Sequence, residues 1–275
     1  MLLHRPFIAA LAGMLLPFAA ARADAPVERA VLSYDIHLGG LNVAQADLTV
    51  TLGSQGYQVE SEVASTGLAG RMMAFSTTSH SIGTWQPDGP QPTLHRSTSV
   101  WRGSQRAVEL VYDNGDTPRT VVSPPPSSED REPVPEAARA GTIDPMSGAL
   151  ALMRSVLGEA APAPIFDGRR MYTLALGEVM PAQVESPAYS GDGWRGVVQY
   201  ERKFGRAAGR SMFRRDTGIG EASIHIAPGA KFGVSLPVPV RIEVATQSVG
   251  SLVVALTGVR VLPADQEALR PCTSC

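Results

Sequence analysis

GTIDPMSGALALMRSVLG (141–158), followed by a Pro/Ala connector and IFDGRRMYTLAL (165–176), is the stretch that decides the fold. It contains the one convincing helical pattern of the chain. The sequence on either side of it alternates between apolar and polar residues with the period of β-strands. The stretch therefore predicts a single helix set between two β-rich halves.

The helix has start and stop signals of its own. Asp144 suits the N-cap, Pro145 suits the first helical position, and Gly158 suits the C-terminal cap. Apolar residues occupy most of the girth between these signals. We predict a helix over residues 145–157 that is buried on more than one side.

The first half of the chain reads as a β-meander. Ala30–Leu38 alternates cleanly, Gly39-Gly40 suits a two-residue hairpin turn, and Leu41–Leu52 alternates on return. Short strands of the same style, separated by Gly/Pro corners, continue to Leu262 without a βαβ rhythm. The pattern predicts a mostly β fold with a single antiparallel sheet of about a dozen strands. We expect the sheet to be a strongly curved open barrel or spiral, with the helix packed against it.

A proline-rich segment joins the two halves. Residues 123–141 include five prolines with Ser, Glu and Arg between them, which predicts an extended surface loop. We treat residues 24–271 as one β-rich domain and residues 272–275 as a C-terminal tail.

The N-terminus has the pattern of a cleavable signal peptide. Residues 1–23 combine a short polar lead, an apolar run and the small-x-small sequence Ala21-Arg22-Ala23, which predicts cleavage after Ala23. The apolar run is too short and too interrupted for a good spanning helix. We expect export to the periplasm and no transmembrane segment in the mature chain.

Composition limits the function classes. Removing residues 1–23 from the 275 leaves 252, with 22 basic and 26 acidic residues and a formal net charge of −4. Nucleic-acid binding needs clustered basic charge, which is absent from this sequence. The chain is long enough to bury a sizeable core.

Both cysteines, Cys272 and Cys275, lie in the last four residues. Their CxxC spacing lacks the helix start that a redox pair uses and the four ligands that structural zinc needs. A local disulfide or a frayed tail is the simpler interpretation in an exported protein. No cofactor or metal is predicted.

Two further patterns have simple structural interpretations. Gly191–Gly196 matches the dinucleotide fingerprint GxGxxG, but it leads into a strand pattern, so a turn is predicted instead. The histidines His37, His80, His95 and His225 lie in strand-like stretches without metal-ligand spacing. A Ser-His-Asp set assembled from distant residues stays open, because such triads are defined by geometry.

Charged residues flank the helix and its connector. Asp144 and Asp167 are candidates for paired carboxylates in acid–base chemistry, but capping by Asp144 and turn formation at Asp167-Gly168 are the favoured interpretation. Arg169 and Arg170 beside Asp167 are candidates for binding an anionic group of a ligand or partner. As a solvated pair in a turn they need no further explanation.

The segments GTIDPMSGALALM (141–153) and FDGRRMYTLAL (166–176) resemble those of the exported bacterial domain-of-unknown-function family number 3108 (DUF3108). Tyr34–Val50 and Pro237–Thr257 are similar to its terminal strands. The resemblance implies a periplasmic β-rich protein without an assigned reaction. It also implies that many members have a disulfide between a cysteine just before the FDG turn and a cysteine near the strand at residue 198. This chain has Pro162–Pro164 and Val198 in those two regions, so that disulfide is absent. In architecture, envelope-integrity proteins and lipoprotein carriers with a helix plugging a curved sheet are similar.

These observations favour a non-enzymatic cell-envelope protein that binds a partner protein or an apolar, lipid-like ligand, with a role in envelope integrity as one possibility. Two alternatives stay open. One is a hydrolase of an envelope polymer that uses Asp and His residues brought together in space, and the other is a structural scaffold. A carboxylate or His–Asp pair in an open pocket would favour the enzyme, and a smooth apolar groove would favour binding.

Overall fold

A computed structural model of the protein describes residues 27–68, 74–113, 117–125, 133–160, 162–205, 219–246 and 250–263. The predicted signal peptide and the predicted cysteine tail lie outside these ranges. The predictions for them therefore stay predictions.

The described chain is mostly β-strand. The strands are β1 (Glu28–Leu38), β2 (Leu41–Leu52), β3 (Gly56–Ser65), β4 (Phe75–Gln86), β5 (Gly89–Trp101), β6 (Ser104–Val111), β7 (Arg119–Ser123), β8 (Pro164–Phe166), β9 (Met171–Leu176), β10 (Met180–Ser186), β11 (Tyr189–Phe204), β12 (Ile219–Ala227), β13 (Val238–Ala245) and β14 (Ser251–Leu262).

All fourteen strands belong to one antiparallel sheet. Its order is β7-β6-β5-β4-β3-β2-β1-β14-β13-β12-β11-β9-β8, and β10 pairs with β11 beside this path. The pairing of β1 with β14 joins the two halves of the chain into a continuous surface. At the β1–β2 turn, Gly39 and Gly40 both have positive φ, as a two-residue hairpin turn of type I′ requires. The predicted fold, a large antiparallel sheet that is not closed and that packs against one helix, is confirmed.

The two ends of the sheet approach each other through side chains. Leu110 and Tyr112 at the end of β6 pack with Phe166 of β8 and with Val134 in one buried cluster. β7 and β8 do not pair by hydrogen bonds, so the sheet curls round without closing.

The proline-rich segment contributes to this contact. Val134 is buried, and the guanidinium of Arg139 donates to the Val134 carbonyl at 2.7 Å and lies over the Phe166 ring. The expectation of a surface loop over residues 123–141 is therefore wrong at Val134, because its side chain fills the gap between the two sheet ends.

The helix α1 spans Pro145–Ser155, two residues shorter than predicted. Its last turn tightens, since the amides of Val156 and Leu157 donate to carbonyls three residues back, which is 3₁₀ geometry. Gly158 follows with φ 74°, a left-handed conformation that glycine adopts without strain.

Helix α1 packs inside the curve of the sheet. Leu150 contacts β2 and β3, Ala151 contacts β8, and Met153 contacts β11 and β12. Burial on several sides explains its apolar girth. The helix also comes very close to β8, because Gly148 lies directly against the side chain of Ile165.

This close approach makes a testable prediction for Gly148→Ala. A Cβ at Gly148 would lie 2.9 Å from Cγ1 of Ile165 and closer still to its Cδ1. Overpacking of about 1–3 kcal/mol opposes the gain of about 1 kcal/mol in helix propensity, so we expect a net loss of up to about 2 kcal/mol in the free energy of unfolding. Urea denaturation measures it.

The double variant Gly148→Ala/Ile165→Val separates the two contributions. Removing Cδ1 relieves the closest contact, so the double variant is expected to be more stable than the sum of the single variants by at least about 0.5 kcal/mol. Additive effects would show that the contact with Ile165 is not the source of the loss.

The prediction of a turn at Gly191–Gly196 is wrong. These residues lie within β11, paired with β10 on one side and, from Trp194 onward, with β12 on the other. Gly193 allows this, because a Cβ there would collide with the carbonyl oxygen of Ile226. The segment opens no helix, so it lacks the free amides that bind a dinucleotide phosphate.

Candidate functional site

A buried polar cluster connects the start of α1 to the sheet. The Ser81 hydroxyl lies 2.7 Å from Oδ1 of Asp144 and 2.8 Å from Nδ1 of His95, and that same nitrogen lies 3.3 Å from Oδ1 of Asp144. Ser81 and His95 are directly opposite each other on β4 and β5. The register of this hairpin and the position of the N-cap together create the cluster.

The second carboxylate oxygen of Asp144 continues the cluster towards β3. Oδ2 accepts the hydroxyl of Ser147, and the Ser147 oxygen lies 2.6 Å from the Tyr57 hydroxyl. Because Ser147 gives its hydrogen to Asp144, Tyr57 donates to Ser147. By the same reasoning Ser81 donates to Asp144, and His95 donates from Nδ1 to Ser81.

Asp144 also caps the helix. Its Oδ1 accepts the amides of Met146 at 2.8 Å and Ser147 at 3.2 Å. Burial raises the pKa of the Asp144 carboxyl, but the hydrogen bond and charge of His95, with the hydroxyls of Ser147 and Ser81, outweigh burial and hold that pKa below its usual value of 3.8. Asp144 is therefore an ionised, fully hydrogen-bonded carboxylate at neutral pH.

The cluster has the residue types of a catalytic triad without its geometry. A triad places the serine on one imidazole nitrogen and the aspartate on the other, whereas here both contact Nδ1 of His95. Ser81 and Asp144 are fully buried, and His95 is 3% exposed. The Ser81 hydroxyl gives its hydrogen to Asp144 rather than to an imidazole base, so it is not activated as a nucleophile.

Asp167 organises the turn after β8 and does not join this cluster. Its Oδ1 accepts the amides of Arg169 and Arg170, and its Oδ2 lies 2.7 Å from Nε of Arg170. Gly168 has φ 85° and lies against Val108 of β6. Arg169 reaches across to donate to the Pro124 carbonyl at 2.7 Å. Asp144 and Asp167 therefore each have local partners and do not form a carboxylate pair.

The Asp167 turn faces a polar pocket of about 310 Å³. Arg169, Arg170 and Tyr172 line one side of it, and Arg106 and His95 line another with Ser79, Ser97 and Ser99. The predicted ligand-binding residues Asp167, Arg169 and Arg170 thus lie together in one concave site. Their role in binding stays a prediction.

The other histidines lie on strands, apart from this cluster: His37 on β1, His80 on β4 and His225 on β12. Within the described ranges, no group of three or more His, Cys, Asp or Glu side chains is arranged to hold a metal ion. His80 stands in a cross-strand row between Glu60 of β3 and Arg96 of β5.

The pKa of His80 predicts how the stability of the protein depends on pH. Burial lowers its pKa; Glu60 raises that pKa, while Arg96 and His95 lower it further, and the net shift is downward from 6.5. Below about pH 6.5 the unfolded chain therefore binds more protons at His80 than the native chain does. The free energy of unfolding is unaffected by His80 above that pH and decreases as the pH falls below it. Urea denaturation between pH 8 and pH 5 measures it.

The variant His80→Gln removes the titrating group and serves as the comparison. We expect the wild type to lose more of its free energy of unfolding over this range than the variant does. An equal loss in both proteins would contradict the prediction.

The second candidate site is an apolar cavity of about 320 Å³ between α1 and the inner face of the sheet. Its walls come from β1, β2, β3, β13, β14, the segment before β13 and α1. The apolar lining residues are Ala30, Leu32, Tyr34, Ala46, Leu48, Val50, Leu52, Val59, Val63, Met146, Ala149, Leu150, Met153, Val234, Leu236, Pro237, Val238, Pro239, Ile242 and Val254.

Polar residues are few around this cavity: Glu28, Asp47 and Ser61 complete its lining. Leu32, Val59 and Leu150 are each less than 7% exposed although they border the space. The space is therefore walled largely by buried side chains, and it opens to solvent beside the exposed residues Asp47 and Ala149. A cavity of this size and lining suits an apolar ligand.

Sequence reasoning missed Ser81, Ser147, Tyr57 and Arg106. The one local signal was the Ser/Thr-rich alternation of β4, which places Thr77, Ser79 and Ser81 on the inner face of the sheet.

Comparison with known proteins places the chain in a family. A family model described as a protein of unknown function (DUF3108) matches residues 33–257. The chain belongs to the DUF3108 family. The matched range covers β2 to β13 and α1, so it contains all of the polar cluster and the polar pocket of this DUF3108 protein. The resemblance noted in the sequence is thereby confirmed.

Other comparisons add little about function. No curated protein matches this DUF3108 chain. One similar solved structure is the crystal structure of a beta-barrel-like protein of the domain of unknown function DUF1849 from Brucella abortus. It shares 10% sequence identity, with a TM-score of 0.47, over 87% of this chain and 99% of the other. Among the described residues, no helix has the length and apolar character needed to cross a bilayer.

Proposed function

We propose that this DUF3108 protein is a non-enzymatic periplasmic protein of the cell envelope that binds an apolar, lipid-like ligand in the cavity beside α1. The observation that carries the proposal is the cavity itself, about 320 Å³ lined almost entirely by apolar side chains. An apolar chain entering it removes its own surface from water at about 0.8 kcal/mol per methylene. The periplasmic location rests on the N-terminal sequence pattern.

The shape of the cavity favours a chain-like ligand over a partner protein. Its walls include Val59 and Val238, each 2% exposed, so the space is a recess in the sheet and not a flat face. A folded partner would contact exposed surface, as protein interfaces do. A flexible alkyl chain fits a narrow apolar recess that opens to solvent beside Ala149.

The polar cluster argues against the hydrolase alternative. Its serine, histidine and aspartate satisfy one another; Ser81 and Asp144 are fully buried and only the edge of His95 borders the polar pocket, so the Ser81 oxygen is not exposed to a substrate. The cluster instead fixes the N-terminus of α1 against β3, β4 and β5. That placement sets the helix wall of the cavity, which includes Met146 and Leu150.

A chain-length series tests the proposed function. The full mature protein is incubated with the fluorescent apolar probe N-phenyl-1-naphthylamine, which is displaced with hexanol, octanol, decanol and dodecanol. We expect affinity to rise roughly three- to fourfold per methylene until the chain fills the cavity, and then to level off. Failure of every alcohol to displace the probe, or affinity independent of chain length, would overturn the proposal.

A further inference from the structure

The polar pocket and the apolar cavity are neighbours. Met146, in the first turn of α1, lines both. Ser61 lines the cavity and Ser79 lines the pocket, and these two serines are directly opposite each other on β3 and β4. Side chains in such a pair have Cβ atoms about 5 Å apart, so the two spaces adjoin along the inner face of the sheet.

The inner face changes character at this boundary. On β2 and β3 it presents apolar residues such as Leu48 and Val63, whereas on β4 and β5 it presents hydroxyls. Ser79 donates to Ser97 at 3.2 Å, and Ser99 lies opposite Arg106 of β6. An apolar surface thus continues directly into a row of hydrogen-bonding groups.

The pocket has an excess of positive charge. Three arginines line it, Arg106, Arg169 and Arg170, against the single carboxylate of Asp167. Arg170 is paired with Asp167, whereas Arg106 is exposed and its side chain makes no hydrogen bond or ion pair with the residues that the structure describes. The whole chain has a net negative charge, so the pocket has the opposite sign to the chain as a whole.

We propose that the polar pocket binds the anionic group of the ligand whose alkyl chain occupies the apolar cavity. The ligand class is then an anionic amphiphile, with a carboxylate or phosphate attached to a chain. This inference rests on the proposed function. Guanidinium groups donate paired hydrogen bonds to carboxylate and phosphate oxygens, and the serine hydroxyls supply further donors. Asp167 keeps Arg170 in place, and its single carboxylate attracts a cationic head group less than the three arginines repel it.

Matched head groups on one chain test the inference. Decyl phosphate, decanoate, decanol and decyltrimethylammonium are compared below their micellar concentrations by the same displacement of N-phenyl-1-naphthylamine. We expect the two anionic compounds to bind about tenfold more tightly than decanol, and the cationic compound to bind most weakly. The preference for anions should decline as salt is added.

Charge variants locate the effect. Arg106→Gln is expected to remove most of the tenfold preference while leaving the affinity for decanol unchanged. Arg260→Gln serves as the matched control, since Arg260 is exposed on β14 and lines neither space. Equal loss in both variants would assign the preference to overall charge and overturn the inference.

The outcomes separate this inference from the proposed function. Equal affinity for decyl phosphate and decanol would overturn the inference and leave the proposed function standing. Failure of decanol and every other decyl compound to bind would overturn both. Inorganic phosphate binding as tightly as decyl phosphate would assign the pocket to the free ion, and would overturn the anionic amphiphile as its ligand.

Discussion

Asp144→Ala is expected to lower the free energy of unfolding by about 3–5 kcal/mol, the largest effect of any single substitution considered for this protein. The substitution removes the N-cap of α1, a loss of about 1 kcal/mol by itself. It also leaves the hydroxyls of Ser81 and Ser147 buried with no carboxylate to receive them. Each buried donor without a partner costs about 1–3 kcal/mol.

The measurement is urea denaturation followed by circular dichroism. Asp144→Asn is a milder variant, because its amide oxygen can still accept the helix amides while its nitrogen cannot accept from a hydroxyl. We expect it to fall between the wild type and Asp144→Ala, which keeps the comparison informative if the alanine variant does not fold. The control is Asp35→Asn, whose carboxylate accepts a surface hydrogen bond from Gln45.

The control substitution should change the free energy of unfolding by less than about 1 kcal/mol. Losses of equal size at Asp144 and Asp35 would show that the buried cluster does not stabilise the attachment of α1. If the folded Asp144→Asn variant still binds the probe and releases it to decanol, a structural role for the cluster is supported. The hydrolase alternative would instead require the Asp144 carboxylate for the reaction.

Local signals explain which parts of the fold the sequence could predict. Asp144 and Pro145 mark the helix start through capping geometry that acts over three residues, and the structure begins α1 there. The end of α1 was less predictable, because apolar residues continue to Leu157 while the hydrogen-bond pattern changes after Ser155. Strand positions followed from alternation, which depends only on neighbouring residues.

The candidate sites depend on contacts that no local pattern encodes. His95 meets Ser81 because of the register of the β4–β5 hairpin, and both meet Asp144 because the helix enters the curve of the sheet at that level. Arg169 and Arg170 were recognisable as a doublet beside Asp167, but Arg106 joins them only because the ends of the sheet approach each other.

The apolar cavity was still less accessible to sequence reasoning. The strands that line it alternate between apolar and polar residues, just as strands over a fully packed core do. The alternation therefore predicts which side chains face inward but not whether the space between them is filled. Whether the side chains meet across that space is decided by the curvature of the whole sheet and by the position of α1.

Ala149→Trp is expected to reduce the affinity for decanol at least tenfold while changing the free energy of unfolding by no more than about 1 kcal/mol. Ala149 is exposed on α1 and lines the cavity, so an indole there can enter the space without displacing a buried side chain. The lower helix propensity of tryptophan costs about 0.5 kcal/mol, and burial of the indole against apolar walls offsets it.

Ala137→Trp is the matched control, because Ala137 is also exposed but lies in the short 3₁₀ turn Glu136–Arg139 and lines neither space. Displacement of N-phenyl-1-naphthylamine by decanol measures affinity in both variants, and urea denaturation measures stability. A blocked cavity excludes the chain of every ligand, so decyl phosphate should lose affinity along with decanol. Undiminished binding of decanol and decyl phosphate in Ala149→Trp would place the apolar ligand outside the cavity, irrespective of the head group.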